Sequence, residues 1–268
     1  MPLPFRIMIQ KVISLSMLVF ILTVSPGEGS AQKIMMLNEN LKANSEPLPV
    51  KTRGGSMIKF DFGIYKTVSA KAGWTTTTSK SKLFSSVERS ESKQKSSVVI
   101  TGHEPDTATI NISLNIQSEE VRQMVISISK NRVAWEREED PSKIKQTKNL
   151  VALITTNRDT VTWNFIYVSR ESTERTDQNE SFAFVTDGNK RFDIKKVTVW
   201  DNGKSPALYS VVGFEFYADG IVVAAVQNPM DTFQKKFVWL TNDLDEYMKL
   251  ILATASSVLF GFTNQLPD

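Results

Sequence analysis

A single histidine limits the acid–base and metal chemistry open to this chain. His103 sits in Thr101–Asp106 (TGHEPD) beside Glu104 and Asp106, but Gly102 and Pro105 interrupt the cluster. One imidazole cannot supply the several His, Cys or acidic ligands of a zinc site, and no HExxH spacing occurs. An exposed turn is the expected reading, with no metal. Triad hydrolysis would have His103 as its sole possible base, and no GxSxG is present. Ser-x-x-Lys occurs at Ser79/Lys82, Ser90/Lys93 and Ser142/Lys145, each in a polar Ser/Lys-rich or charged stretch without companion motifs. Neither GxxxxGK[ST] nor GxGxxG can be read, so no nucleotide cofactor is expected. Carboxylates gather at NDLDE (242–246), but the glycine and spacing of a calcium loop are missing, and helix capping accounts for them.

A carboxylate pair needs no motif, because the fold can bring two acids together from anywhere in the chain. The candidate is Glu215 in YSVVGFEFYADGIVVAA (209–225). If Asp219-Gly220 is a two-residue turn, Tyr217 faces Val222, Phe216 faces Val223, Glu215 faces Ala224 and Phe214 faces Ala225. Glu215 then shares an apolar face with Val211, Gly213, Tyr217, Val222 and Val226. Gly213 and Ala224 leave room beside it. A half-exposed carboxylate, ion-paired or partly covered by a loop, is the favoured reading, and a ligand or catalytic group is the alternative. The tryptophans offer flat stacking surfaces for a sugar. Trp163 and Trp239 lie in strongly apolar strands and are expected in the core; Trp74, Trp135 and Trp200 lie near loops or turns, where exposure is open to them, although core or anchoring roles are the favoured reading for tryptophan. The expected ligand contacts are therefore Glu215, Tyr217, Trp200 and Trp74.

The elements that must position these residues are mostly strands. Residues 1–31 read as an export signal: Arg6 and Lys11 lead into the apolar run 12–24, and Gly29-Ser30-Ala31 supplies small residues for cleavage after Ala31. The run falls short of the roughly 20 apolar residues that span a bilayer, so no transmembrane helix is expected in the mature chain. The chain has no cysteine, which removes thiol chemistry, disulfides and a cysteine-linked lipid, and points to a bacterial periplasmic or secreted protein. Removing residues 1–31 lowers the net charge from +3 to +2, which gives no general drive toward nucleic acid.

Residues 32–56 read as an N-terminal arm or linker, and 57–268 as one β-rich domain. Period-two alternation is clear in TINISLNIQ (109–117), MVISISK (124–130) and TVTWNFIYV (160–168). LVALI (150–154) is apolar on both faces, as in a central strand. Asp187-Gly188-Asn189, Asp201-Asn202-Gly203 and Asp219-Gly220 are turn signals of antiparallel connections. The Ser/Thr/Lys-rich stretch 75–97 predicts a long loop or solvated edge hairpin, and the charged stretch 135–149 a surface connection or a boundary. A helix is expected over 243–260, capped by Asn242 and stopped by Gly261, with Leu244, Met248, Ile251, Ala255, Val258 and Phe262 as its core stripe.

The expected fold is mainly β, an antiparallel sandwich or curved sheet with one C-terminal helix packed on it. The expected function is an exported, non-catalytic binding or interaction protein of the bacterial envelope. Its partner would be an apolar small ligand, a glycan or an envelope protein. The alternative is a hydrolase using a carboxylate pair that includes Glu215.

Overall fold

Alternation along the chain produces one long antiparallel meander. The computed structural model describes residues 32–54, 59–81, 87–129, 132–172, 180–207, 211–230 and 234–262; for 81, 87–88, 120–129, 132–144, 171–172 and 180 the description is confined to the backbone. The expected export signal and its cleavage position lie outside the described residues. The strands are β1 Leu48–Pro49, β2 Lys51–Arg53, β3 Lys59–Phe62, β4 Tyr65–Ser81, β5 Val87–Thr101, β6 Thr107–Ser129 and β7 Arg132–Thr156. They continue as β8 Thr162–Ser172, β9 Glu180–Thr186, β10 Arg191–Val197, β11 Gly213–Ala218, β12 Ile221–Gln227 and β13 Phe237–Leu240. Two helices flank them, α1 Glu39–Ala43 and α2 Glu246–Phe262.

From β3 to β13 each strand lies beside its neighbour in sequence, and all pairs are antiparallel. The two ends of the meander meet through one short segment. β1 pairs with β13, Val50 N–H donates to Lys236 O, and β2 then pairs with β3. The result is one nearly closed curved sheet rather than two stacked ones. Closure of this kind leaves few unpaired strand edges.

α2 lies against β6 and β7 and also against β12 and β13. Every residue from Leu250 to Phe260 is buried. A helix that is apolar all round must be enclosed, and each buried Leu, Ile, Val or Phe contributes roughly 1.5–3 kcal/mol. Two of the three hydroxyls that α2 carries into this core are satisfied within the helix, Ser256 Oγ donating to Leu252 O (2.7 Å) and Ser257 Oγ to Ala253 O (3.3 Å), while the buried Thr254 Oγ1 has no partner among the described residues. Asp245 supplies the cap, its Oδ1 accepting the Met248 N–H (2.7 Å), so the helix starts three residues later than expected. Asn242 instead joins the arm, its N–H donating to Asn44 O (2.9 Å). Gly261 lies inside the last turn, and Asn228 Nδ2 donates to Leu259 O (3.3 Å) near that end.

The inner face of the sheet is built as the alternation requires. Ile110, Ile112 and Leu114 on β6, and Trp163, Phe165 and Tyr167 on β8, are buried in one cluster with α2. LVALI departs from expectation: Leu150, Ala152 and Ile154 are buried, but Val151 and Leu153 are 37% and 43% exposed. A single-layer sheet with its helix inside leaves the outer face open. The charged stretch 135–149, expected as a surface connection or a boundary, forms part of β7, with 135–139 and 144–149 paired to β6 on either side of a register shift. The described residues of 75–97 belong to β4 and β5, which pair antiparallel, and residues 71–80 are exposed. Beyond its short pairing with β3, β4 is steadied by side chains: Arg53 Nη2 donates to Thr67 O (2.9 Å) and Lys59 Nζ to Val68 O (3.2 Å). Residues 34–53 hold α1, β1, β2 and an isolated bridge between Met35 and Trp200. Among the described residues no helix is long and apolar enough to cross a membrane.

Candidate functional site

Asp219 and Gly220 both adopt positive φ (+49° and +83°), the geometry that a tight two-residue hairpin turn requires. Tyr217 therefore pairs with Val222, as expected. A bulge between Phe216 and Tyr217 then shifts the register, so Phe216 pairs with Ala224, Glu215 with Ala225 and Phe214 with Val226. The expected partners Val223, Ala224 and Ala225 are each displaced by one. Phe214 and Phe216 join the inner core, while Val212, Val222, Ala225 and Trp239 form a second cluster on the outer side.

That second cluster is covered by the chain's own N-terminal arm. Met35 and Leu41 are 1% exposed and Trp200 is 2% exposed against it. Gln227 Oε1 accepts the Met35 N–H (2.8 Å), and Glu215 Oε1 accepts the Asn38 N–H (3.1 Å). Tyr217 OH donates to Glu215 Oε2 (2.7 Å). Gly213 permits the close approach, since a Cβ there would lie 2.1 Å from Val226 O and 2.6 Å from Met35 Sδ. Glu215 is buried rather than half-exposed, and both of its oxygens are engaged within the chain. Burial first, and then the Glu215 carboxylate, push the Tyr217 hydroxyl up to about 12, so it stays a proton donor at ordinary pH. The Lys195 ammonium stands 4.3 Å from the centre of the Tyr217 ring.

Of the four expected ligand contacts, Glu215, Tyr217 and Trp200 are thus brought to one covered face. Trp200 is buried there in the anchoring role favoured for a tryptophan, because Met35 pairs across it. Trp74 is separate, on β4, and 93% exposed. Trp163 and Trp239 are in the core as expected, Trp163 Nε1 donating to Tyr247 OH (2.9 Å). The Trp135 side chain lies outside the described residues. His103 is in an exposed turn, its Nε2 3.0 Å from Glu246 Oε2 at the start of α2. Asp106 in the same turn pairs with Arg158, which holds its carboxyl below the usual range. Among the described residues no group of three or more potential metal ligands assembles.

The residues that the alternation did not single out lie farther along the outer face. Val151 pairs with Ile166, and Ile166 with Phe184. Phe182 is 53% exposed and stacks on Phe184 at 6.3 Å, with the Arg191 guanidinium 4.0 Å over the Phe184 ring. Beside this band a groove of about 530 Å³ has Val151 and Leu153 at its apolar side and Lys71, Lys95, Asn111 and Ser113 at its polar side. The signal was present in LVALI. An apolar residue on both faces of a strand in a one-layer sheet must leave one set exposed.

The class this architecture defines is an antiparallel meander nearly closed around its C-terminal helix. No family model, curated protein or solved structure matches the chain.

Proposed function

We propose that the protein is an exported, non-catalytic binding protein of a bacterial envelope, with its binding surface on the outer face of β4–β9. The observation that carries this reading is the open groove at Val151 and Leu153, which adjoins the exposed Phe182 band while the space inside the sheet is taken up by α2. A concave sheet with a helix across its mouth would hold an apolar ligand inside. Here the helix fills that position, so the ligand-binding reading moves to the outside. Exposed apolar groups clustered beside polar ones favour an apolar or amphiphilic partner. The export reading is supported by the apolar run 12–24 and the absence of cysteine.

The test is native mass spectrometry of protein purified from its own envelope fraction, comparing wild type with the Val151→Asp/Leu153→Asp double variant. A retained adduct in wild type that is missing from the variant, at an unchanged thermal midpoint, is the expected result. Bare monomer from both would overturn the reading.

A further inference from the structure

The groove at Val151 and Leu153 has a border of one charge sign. In the pairing register Lys71 lies opposite Ser97 and Lys95 opposite Ser113, and these serines lead on to Asn111, Leu153 and Val151. Between Tyr65 and Thr101 the sequence carries seven Lys and Arg residues against two acids, Glu88 and Glu91, while the whole chain has a net charge of only +3. More than the entire positive excess therefore sits in one hairpin. The nearby acids are occupied: Glu91 pairs with Lys93 (3.0 Å) and Glu119 with Arg89 (3.0 Å). Lys71 and Lys95 make no ion pair among the described residues.

An exposed indole follows the groove's lining along β4. Ala72 pairs with Ser96 and Thr75 with Gln94, so Gly73 and Trp74 together stand opposite Lys95 in a bulge. Gly73 is required there, because an added Cβ would lie 2.4 Å from Lys95 O. Trp74 directly follows Gly73, which lines the groove, and has 93% of its surface in water. An indole, with its apolar body and single polar N–H, suits a membrane–water interface, and lysines suit an anionic one.

We infer that this face docks on the surface of an anionic lipid bilayer. Trp74 enters the headgroup layer, Lys71 and Lys95 meet lipid phosphates, and Val151 and Leu153 face the acyl boundary. The inference rests on the binding reading above and names its partner. A second copy of the chain is disfavoured, because an isologous contact would set the same positive hairpin against itself.

Protein from the envelope fraction is sedimented with vesicles of phosphatidylcholine alone, and with vesicles of equal parts phosphatidylcholine and phosphatidylglycerol. Binding to the anionic vesicles should exceed binding to the neutral ones by at least tenfold and fall as salt is raised. Lys71→Glu/Lys95→Glu should weaken it at least tenfold and Trp74→Ala severalfold, with thermal midpoints unchanged because all three side chains are solvated. No binding, equal binding to both vesicle types, variants that bind like wild type, or an acidic polypeptide as the retained partner would each overturn the inference. If vesicles fail while Val151→Asp/Leu153→Asp still strips an adduct in mass spectrometry, the bilayer is wrong and the binding surface stands. If both fail, both fall.

Discussion

The outer face of the sheet carries two apolar regions with opposite fates. On β11–β13 and the residue leading into them, Val212, Val222, Ala225 and Trp239 are at most 3% exposed; on β7 and β9, Val151, Leu153 and Phe182 are 37–53% exposed. Both regions follow the same alternation in one continuous sheet. The difference is the arm: Met35, Leu41 and α1 lie over the first region, and nothing among the described residues lies over the second. The polar groups differ to match. In the covered region Gln227 and Glu215 are acceptors spaced to take the N–H groups of Met35 and Asn38. At the open region the polar groups include Asn111 and Ser113, and the cations Lys71, Lys95 and Arg191, the last paired with Asp193 (2.7 Å). Strand pattern therefore says which residues point outward, and only the rest of the chain decides whether they meet protein or water.

The sharpest way to break this comparison is to truncate a covered aromatic. Trp239→Ala should cost about 3–5 kcal/mol in urea unfolding, because transfer and cavity terms both apply under the arm. Gly213→Ala comes next at about 1–3 kcal/mol. Its new Cβ would meet Val226 O and Met35 Sδ, and only the second can move aside. This substitution should also make the arm more sensitive to limited proteolysis near Met35. An arm as resistant as wild type would show that Gly213 does not set its seat.

Glu215 separates a clasp from a ligand group. Glu215→Ala removes the acceptor of two donors, the Asn38 N–H and the Tyr217 OH, and should cost about 1–3 kcal/mol. Glu215→Gln keeps one acceptor oxygen and should cost less. The Tyr217 hydroxyl adds a pH dependence with a definite sign. Its folded value lies at about 12, above the ordinary value of about 10, so the folded state holds the proton more tightly. The stability it provides is complete below about pH 10 and is lost as pH rises toward 12. Chemical-denaturation midpoints should fall across that window more steeply in wild type than in Tyr217→Phe. Parallel curves would mean that the hydroxyl is not held as the geometry implies.

Much of the fold was legible because it depends on local pattern. The alternation of 109–117 and 160–168, the Asp-Gly and Asn-Gly turns and the all-round apolar helix each carry their structure in neighbouring residues. What was not legible depends on distant contacts. The bulge at Phe216 and Tyr217 accompanies the close seat of Met35 over Gly213, and no hairpin rule contains that. Trp200 follows the pattern of a residue near a turn, yet Met35 buries it. The charged stretch of β7 lacks the apolar alternation that marks a strand in sequence, although backbone pairing with β6 needs no apolar side chain. Asn242 and Asp245 are both residue types able to cap, and it is Asp245 that accepts the Met248 N–H. For Glu215, the sequence narrowed the question to what lies over its face, and the arm is the answer.

The smallest expected effect is on the open side and completes the comparison. Phe182→Ala removes a ring of the same order of size as Trp239, but 53% of Phe182 is already in water and its partner is another outer-face ring, Phe184. The loss should be about 0.5 kcal/mol or less, in the range of ordinary surface changes. The unfolding midpoint should barely move, while retention of any adduct seated along the band should drop. If Phe182→Ala instead destabilises the protein as much as Trp239→Ala, then the band is packed in solution. The distinction between a covered and an open outer face would then fail at its simplest point.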